Sequence, residues 1–125
     1  MIFDSDVLIW FFRGNKEAAR AVEEDGGRAL SVVSYMEVMR GVLNKREAKT
    51  IRDLLGRFAF EILPLSEPIG ARAALYVEEF ALKTGLSVAD ALIAATAAER
   101  GEVLSTANSK HFKMIPGLTI SVFRP

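Results

Sequence analysis

Apolar positions along the chain follow two alternating rhythms. MIF (1–3), ALSVV (29–33), EILPL (61–65), EVLS (102–105) and LTISVF (118–123) are short apolar runs, several rich in β-branched residues. Runs of that length and content predict strands. Between them lie longer stretches with helical spacing. SDVLIWFFR (5–13) is apolar on nearly every side and predicts a buried helix. KEAARAVEED (16–25), stopped by Gly26-Gly27, predicts a solvent-facing one. A further helix opens at Ser34 and runs to about Leu43. In REAKTIRDLLGRF, Ile51, Leu54, Leu55 and Phe58 share one face, and Ile69, Ala73, Tyr76 and Phe80 do the same across 67–83. SVADALIAATAAERG (87–101) predicts a capped, Ala-rich helix whose small side chains allow a close neighbour. Pro64 sends the third strand to an edge or an end.

Strands alternating with helices predict an α/β fold, a three-layer sandwich with a mainly parallel sheet and helices on both faces. No linker, repeat or low-complexity tract interrupts the 125 residues, so they read as a single domain, 1–125. In such sheets ligands bind outside the carboxyl ends of strands, near the point where strand order reverses. Asp4 ends the first strand and Asp6 follows it. Glu37 comes about a turn after the second strand, and Asp90 sits one turn into the Ala-rich helix. Thr106 and Asn108 follow the fourth strand.

Each acid has a structural explanation. Asp4 can cap the first helix. Ser34 and Glu37 form S-x-x-E, the capping-box pattern, and Ser87 and Asp90 form the similar S-x-x-D. Acids in a first turn also suit the helix dipole. Their joint placement points further. They fall where strands hand over to helices, beside the most apolar segments, and no Lys or Arg adjoins Glu37 or Asp90 within those runs. Converging carboxylates repel one another and lose hydration. A divalent cation with oxygen ligands, Mg²⁺ or Mn²⁺, is their natural partner. Capping and metal binding are compatible in one side chain.

Composition narrows the field. Half of the residues are apolar, enough for a substantial core, and no cysteine is present, which excludes disulfides and thiolate metal sites. That fits a reducing cytoplasm. No apolar run reaches membrane-spanning length, and the N-terminal segment, with its two Asp, reads as structure and not as a signal peptide. Sixteen basic and sixteen acidic residues cancel, which argues against a general polycation that coats nucleic acid. The basic run from Arg40 to Arg57 reads as a solvated helix face.

The motifs FDSDVLIWF, SVVSYMEVMRG, SVADALIAATA and VLSTANSKHF, in that order, resemble the PIN domain, and within it the VapC-type toxins of prokaryotic toxin–antitoxin pairs. The resemblance runs from residue 2 to about residue 122. It implies helices sandwiching a five-stranded parallel sheet and a metal-dependent endoribonuclease. It also implies a homodimer and a small VapB-type antitoxin whose C-terminal segment lies in a groove beside the acids. The three acids of the family correspond to Asp4, Glu37 and Asp90. Asn108 corresponds to a fourth polar position that is Asp in many members; an amide there weakens the case for a second metal. Asp6 and Thr106 match supporting positions. Arg13, Arg40, Lys110 and Lys113 are candidates for RNA phosphate contacts, ordinary surface charge being the plain alternative for each. His111 reads as a surface or phosphate-contacting residue. Trp10, Phe11 and Phe12 serve either an interface or the core. An RNA-processing nuclease without an antitoxin and a catalytically inactive PIN-like binding module stay open beside the toxin. A receiver-type signalling module does not fit, because EILPLSE has no phospho-accepting Asp at the end of the third strand and TISVFRP no Lys.

Overall fold

The computed structural model describes residues 1–125. One five-stranded sheet runs through them, built from β1 (Ile2–Phe3), β2 (Ala29–Ser31), β3 (Glu61–Leu63), β4 (Leu104–Thr106) and β5 (Ile120–Val122). The strand order is β3-β2-β1-β4-β5 and every pairing is parallel. Strands alternate with α1 (Ser5–Phe12), α2 (Lys16–Glu24), α3 (Val32–Arg40), α4 (Lys45–Arg57), α5 (Glu67–Thr84), α6 (Val88–Arg100) and the short α7 (Ser109–Phe112). The chain leaves central β1 toward β2 and β3, then returns to the other side of β1 as β4. The strand order therefore reverses between β1 and β4, and their carboxyl ends flank the crevice where such folds bind ligands.

Two cores lie on opposite faces of the sheet. Ile2, Ala29, Leu63 and Leu104 pack with α5 and α6 through Ile69, Ala73, Tyr76, Phe80 and Ile93. Phe3 and Leu30, their immediate neighbours in sequence, point the other way, onto Val7, Leu8, Phe11, Val22, Ile51 and Leu55. Successive strand residues alternate between faces, so a sheet covered on both sides needs apolar residues at consecutive positions. That explains why these strands read as unbroken apolar runs. Helix α6 is buried on most of its circumference, from Ala91 through Ala97. Its alanines allow that close approach.

Several boundaries differ from the sequence reading, each for a local reason. The strand expected over 29–33 stops at Ser31, and Val32 and Val33 begin α3. Ser31 accepts a hydrogen bond from the Val33 N–H at 3.1 Å, and this cap outweighs the strand preference of two valines. The capping box expected from Ser34 and Glu37 therefore does not form. Ser34 is already inside the helix, and its buried Oγ has no hydrogen-bond partner. The fourth strand begins at Leu104 instead of Glu102 and extends to Thr106. Helix α7, with a single turn and no side-chain cap, carries no sequence signal. The third strand is an edge strand, with Pro64 just beyond its end. No helix is long and apolar enough to cross a membrane.

Candidate active site

The carboxyl ends of β1 and β4 carry the first part of the site. Register pairs Phe3 with Ser105, which brings Asp4 level with Thr106. Asp4 is buried and both its oxygens are engaged. Oδ1 accepts the Ser5 N–H at 2.8 Å, capping α1, and Oδ2 accepts the Thr106 hydroxyl at 2.7 Å. Two residues on, Asp6 Oδ1 accepts the Val7 N–H at 2.7 Å and Oδ2 the Ala107 N–H at 3.0 Å, tying α1 to the loop after β4. Thr106 Oγ1 also accepts the Asn108 N–H at 3.0 Å.

The remaining acids come from α3 and α6. Glu37 stands at the exposed rim, and its Oε1 accepts the Ser5 hydroxyl at 3.0 Å. Asp90 completes a capping box with Ser87. The Asp90 N–H donates to Ser87 Oγ at 3.0 Å, and the Ser87 N–H to Asp90 Oδ2 at 3.4 Å. The same Oδ2 lies 2.8 Å from His111 Nδ1, and the Asn108 side-chain amide lies 2.7 Å from that nitrogen. The sequence reading had His111 at the surface or on a phosphate; the structure turns its Nδ1 onto Asp90. Ser5 was also missed. One serine among several carries no sequence signal until the fold sets α1 beside α3.

The charges of these carboxyls act on one another. Burial pushes Asp4 up to about 7, with the charge of Asp6 and then of Asp90 adding to it, against the Thr106 and Ser5 hydrogen bonds. Burial also raises Asp6; the Ala107 and Val7 N–H groups oppose it and the Asp90 charge reinforces it. Glu37 is raised by burial of its carboxyl, then by Asp90 and Asp6, against the Ser5 hydroxyl. No Lys or Arg pairs with any of the four acids; Arg20, Lys49, Arg72 and Arg100 take carboxylates elsewhere. No lysine or arginine offsets their negative charge.

Such a donor set suits a hard divalent cation. No three acidic or histidine side chains are disposed as a ready-made metal cage. An ion such as Mg²⁺, which keeps several waters and takes one or two carboxylates, needs no full protein shell.

Beside Glu37 a groove of about 600 Å³ opens between α1, α3 and α4. Ile9, Phe12, Val38, Leu43, Ile51 and Leu54 form its apolar lining, and Arg13 lies at its edge. Of the three aromatic residues of α1, Phe11 is core, edge-on to Phe58 at 5.1 Å; Phe12 faces the groove and Trp10 is exposed. Arg13, Arg40, Lys110 and Lys113 are all exposed. Only Arg13 lines this groove.

The PIN-domain profile matches residues 1–118. This chain belongs to the PIN-domain family. It is 35% identical over 123 residues to Ribonuclease VapC10 of Mycobacterium tuberculosis, a match covering 94% of this chain and 90% of that protein. It is 27% identical over 125 residues to Ribonuclease VapC1 of Methanocaldococcus jannaschii, covering 98% and 86%. Among solved structures, a chain of a toxin–antitoxin complex from Klebsiella pneumoniae superposes with a TM-score of 0.80 at 34% identity, over 94% of each chain. In this PIN domain Asp4 and Asp6, at the β1 end, lie beside Thr106 and Ala107 of the β4 end, at the crevice where such folds bind ligands.

Proposed function

We propose that this PIN domain is the ribonuclease toxin of a toxin–antitoxin pair, a single-domain metal-dependent endoribonuclease working in the cytoplasm. The observation that carries this reading is the gathering of the Asp4, Asp6, Glu37 and Asp90 carboxyls, whose charges act on one another, at the switch crevice with no lysine or arginine paired to them. Identity to Ribonuclease VapC10 over nearly the whole chain supports the same activity.

Hydrolysis of an RNA phosphodiester needs a water aimed at phosphorus and a counter-charge for the oxygens around it. A divalent ion, Mg²⁺ or Mn²⁺, supplies both when bound, by lowering the pKa of a coordinated water and drawing charge from the phosphate. Asp4 and Asp90 would hold that ion, directly or through water. Glu37, whose Oε2 accepts no protein hydrogen bond, would bind it or orient the attacking water. Thr106 keeps the Asp4 carboxylate in place by donating to Oδ2. Asp6 fixes the loop after β4 through the Ala107 N–H, and so sets where Asn108 stands. Asn108 hydrogen-bonds within the pocket and adds no charge to it. The exposed Arg13, Arg40, Lys110 and Lys113 are free to meet the RNA backbone, whose phosphates the acids alone would repel.

The groove beside Glu37 suits the antitoxin. An amphipathic segment laid against Ile9, Phe12, Leu43 and Leu54 would bury its apolar face there, and a basic residue at its end would reach the acids. Trp10, exposed on α1, is available to a homodimer partner.

Incubation of the purified protein with total RNA tests this function. Cleavage should require Mg²⁺ or Mn²⁺, stop with a chelator, and be absent from Asp4→Asn. Cleavage that ignores both chelator and substitution would remove the proposed centre.

A further inference from the structure

Helix α7 holds the one histidine of the chain against the site, and the protons around its ring can be assigned from the contacts it makes. His111 Nδ1 lies 2.8 Å from Asp90 Oδ2 and 2.7 Å from the Asn108 amide. A ring nitrogen carries either one hydrogen or one in-plane lone pair. With a lone pair there, the ionised Asp90, an acceptor only, would face a second acceptor. A protonated Asp90 donating to a bare Nδ1 would leave the Asn108 NH₂ competing for the same lone pair. Nδ1 therefore carries the hydrogen. A donating Nδ1 in turn cannot abut an NH₂ group, so Asn108 presents its oxygen to the ring and turns its nitrogen away; amide oxygen and nitrogen have nearly the same shape, and only the hydrogen-bond network distinguishes them. One N–H is then shared between a carboxylate on α6 and an amide at the rim of β4. The far side of the ring lies by the turn between α5 and α6, where a Cβ on Gly85 would sit 3.8 Å from Nε2.

We propose that His111 is a positioning residue for the divalent-ion site: its Nδ1–H holds Asp90 Oδ2 and the Asn108 amide oxygen together. This rests on the nuclease reading above. Both hydrogen bonds to Asp90, from His111 and from Ser87, fall on Oδ2, so Oδ1 keeps all its lone pairs for a cation. A hydrogen bond on one oxygen of a ligating carboxylate fixes its orientation, and loss of such a support costs roughly 10–100-fold in metal affinity. Without His111, Asp90 would be held only by the long bond from the Ser87 N–H, at a helix end where its side chain can rotate away. The role belongs to Nδ1 alone, which makes it separable from packing. An asparagine at 111 carries an N–H the same number of bonds from Cα as Nδ1, whereas a glutamine places its N–H where Nε2 lies.

Calorimetric titration with Mn²⁺ on the full chain, without RNA, tests this on wild type, His111→Ala, His111→Gln, His111→Asn and Asp90→Asn. Wild type should bind, Asp90→Asn should lose binding, His111→Ala and His111→Gln should weaken it about tenfold or more, and His111→Asn should stay within about threefold of wild type. Long-range ¹⁵N–¹H spectra of the single histidine, recorded on the neutral ring, should show the Nδ1–H tautomer and so verify the assignment independently of any variant's folding. An Nε2–H tautomer, wild-type affinity in His111→Ala and His111→Gln, or His111→Asn as weak as His111→Ala would overturn the proposal while Asp90→Asn still loses the ion. If wild type and Asp90→Asn respond to Mn²⁺ alike, the nuclease reading falls and this proposal with it.

Discussion

Thr106 donates its hydroxyl hydrogen to Asp4 Oδ2 across 2.7 Å, joining residues 102 apart in sequence at the ends of two neighbouring strands. Neither side of this contact is exposed: Asp4 is 5% and Thr106 0% accessible. A buried carboxylate deprived of a donor keeps its desolvation penalty and loses its compensation. Thr106→Val keeps the shape and removes that donor, and it also strips the acceptor from the Asn108 N–H. We expect a loss of about 1.5–3 kcal/mol in urea denaturation at a pH above about 7, where Asp4 is ionised. At about pH 5, where Asp4 is protonated, the loss should shrink. An equal loss at both pH values would mean that the charge on Asp4 is not what Thr106 compensates.

Stability of the metal-free protein should itself depend on pH in an unusual direction. Asp4 is raised from 3.8 to about 7, first by burial and then by the Asp6 and Asp90 charges. Between those two values the folded state binds more protons than the unfolded one, so stability falls as pH rises through this window. Asp6 and Glu37, also raised, add to the same trend. Glu102 is lowered, chiefly by its Arg100 hydrogen bond, and acts oppositely, losing stability as pH falls below the ordinary glutamate range. Denaturation in a chelator, compared between wild type and Asp4→Asn, isolates the Asp4 contribution. The variant should be the more stable of the two above about pH 7, by a margin that closes toward about pH 4. A margin that does not change with pH would contradict the placement of Asp4 among like charges.

The turn between α4 and β3 predicts a stability gain that leaves the site untouched. Ala59 has φ +54°, a left-handed conformation in a non-glycine residue. The Phe60 N–H reaches Leu55 O at 2.9 Å and the Ala59 N–H reaches Gly56 O at 3.0 Å, the closing pattern that glycine usually completes. Inside the helix, a Cβ on Gly56 would meet nothing within 4 Å. Ala59→Gly and Gly56→Ala should each stabilise by about 0.5–1 kcal/mol, read as a higher midpoint of thermal unfolding. RNA cleavage should be unchanged; a change in activity would mean that this turn takes part in substrate binding.

Leu43 lines the groove beside Glu37 and is 86% exposed, so altering it should not disturb folding. Leu43→Asp puts a charge where an apolar segment would lie. Affinity for the proposed antitoxin partner should fall roughly tenfold, about 1.4 kcal/mol, with RNA cleavage by the free protein retained. Unchanged affinity would mean that the antitoxin binds another face.

Much of this was legible in the sequence because local chemistry and fold agreed. Strands alternating with helices marked a sheet covered on both faces, and Pro64 pointed to an edge or an end for the third strand. Asp4 stood out as an acid at a strand-to-helix junction and Asp90 as one a turn into the Ala-rich helix, and each turned out to cap its helix. Ser31 was the point where pattern failed, because a single capping hydroxyl ended the strand two residues before the β-branched run did. His111 and Ser5 were illegible for a different reason. Their partners, Asp90 and Glu37, lie 21 and 32 residues away, so only the crossovers of the sheet bring them together. Helix α7, too short to have a periodicity, hid the segment that carries His111.

We propose that Asp4, Glu37 and Asp90 hold one divalent cation at the crevice between β1 and β4. A crystal soaked in Mn²⁺ and measured at the manganese absorption edge tests it directly. An anomalous peak should appear within coordination distance of the Asp4 and Asp90 carboxyls, with Glu37 reaching it directly or through one water, and no such peak in Asp90→Asn. A well-diffracting soaked crystal with no peak there, or with manganese bound only elsewhere, would contradict it.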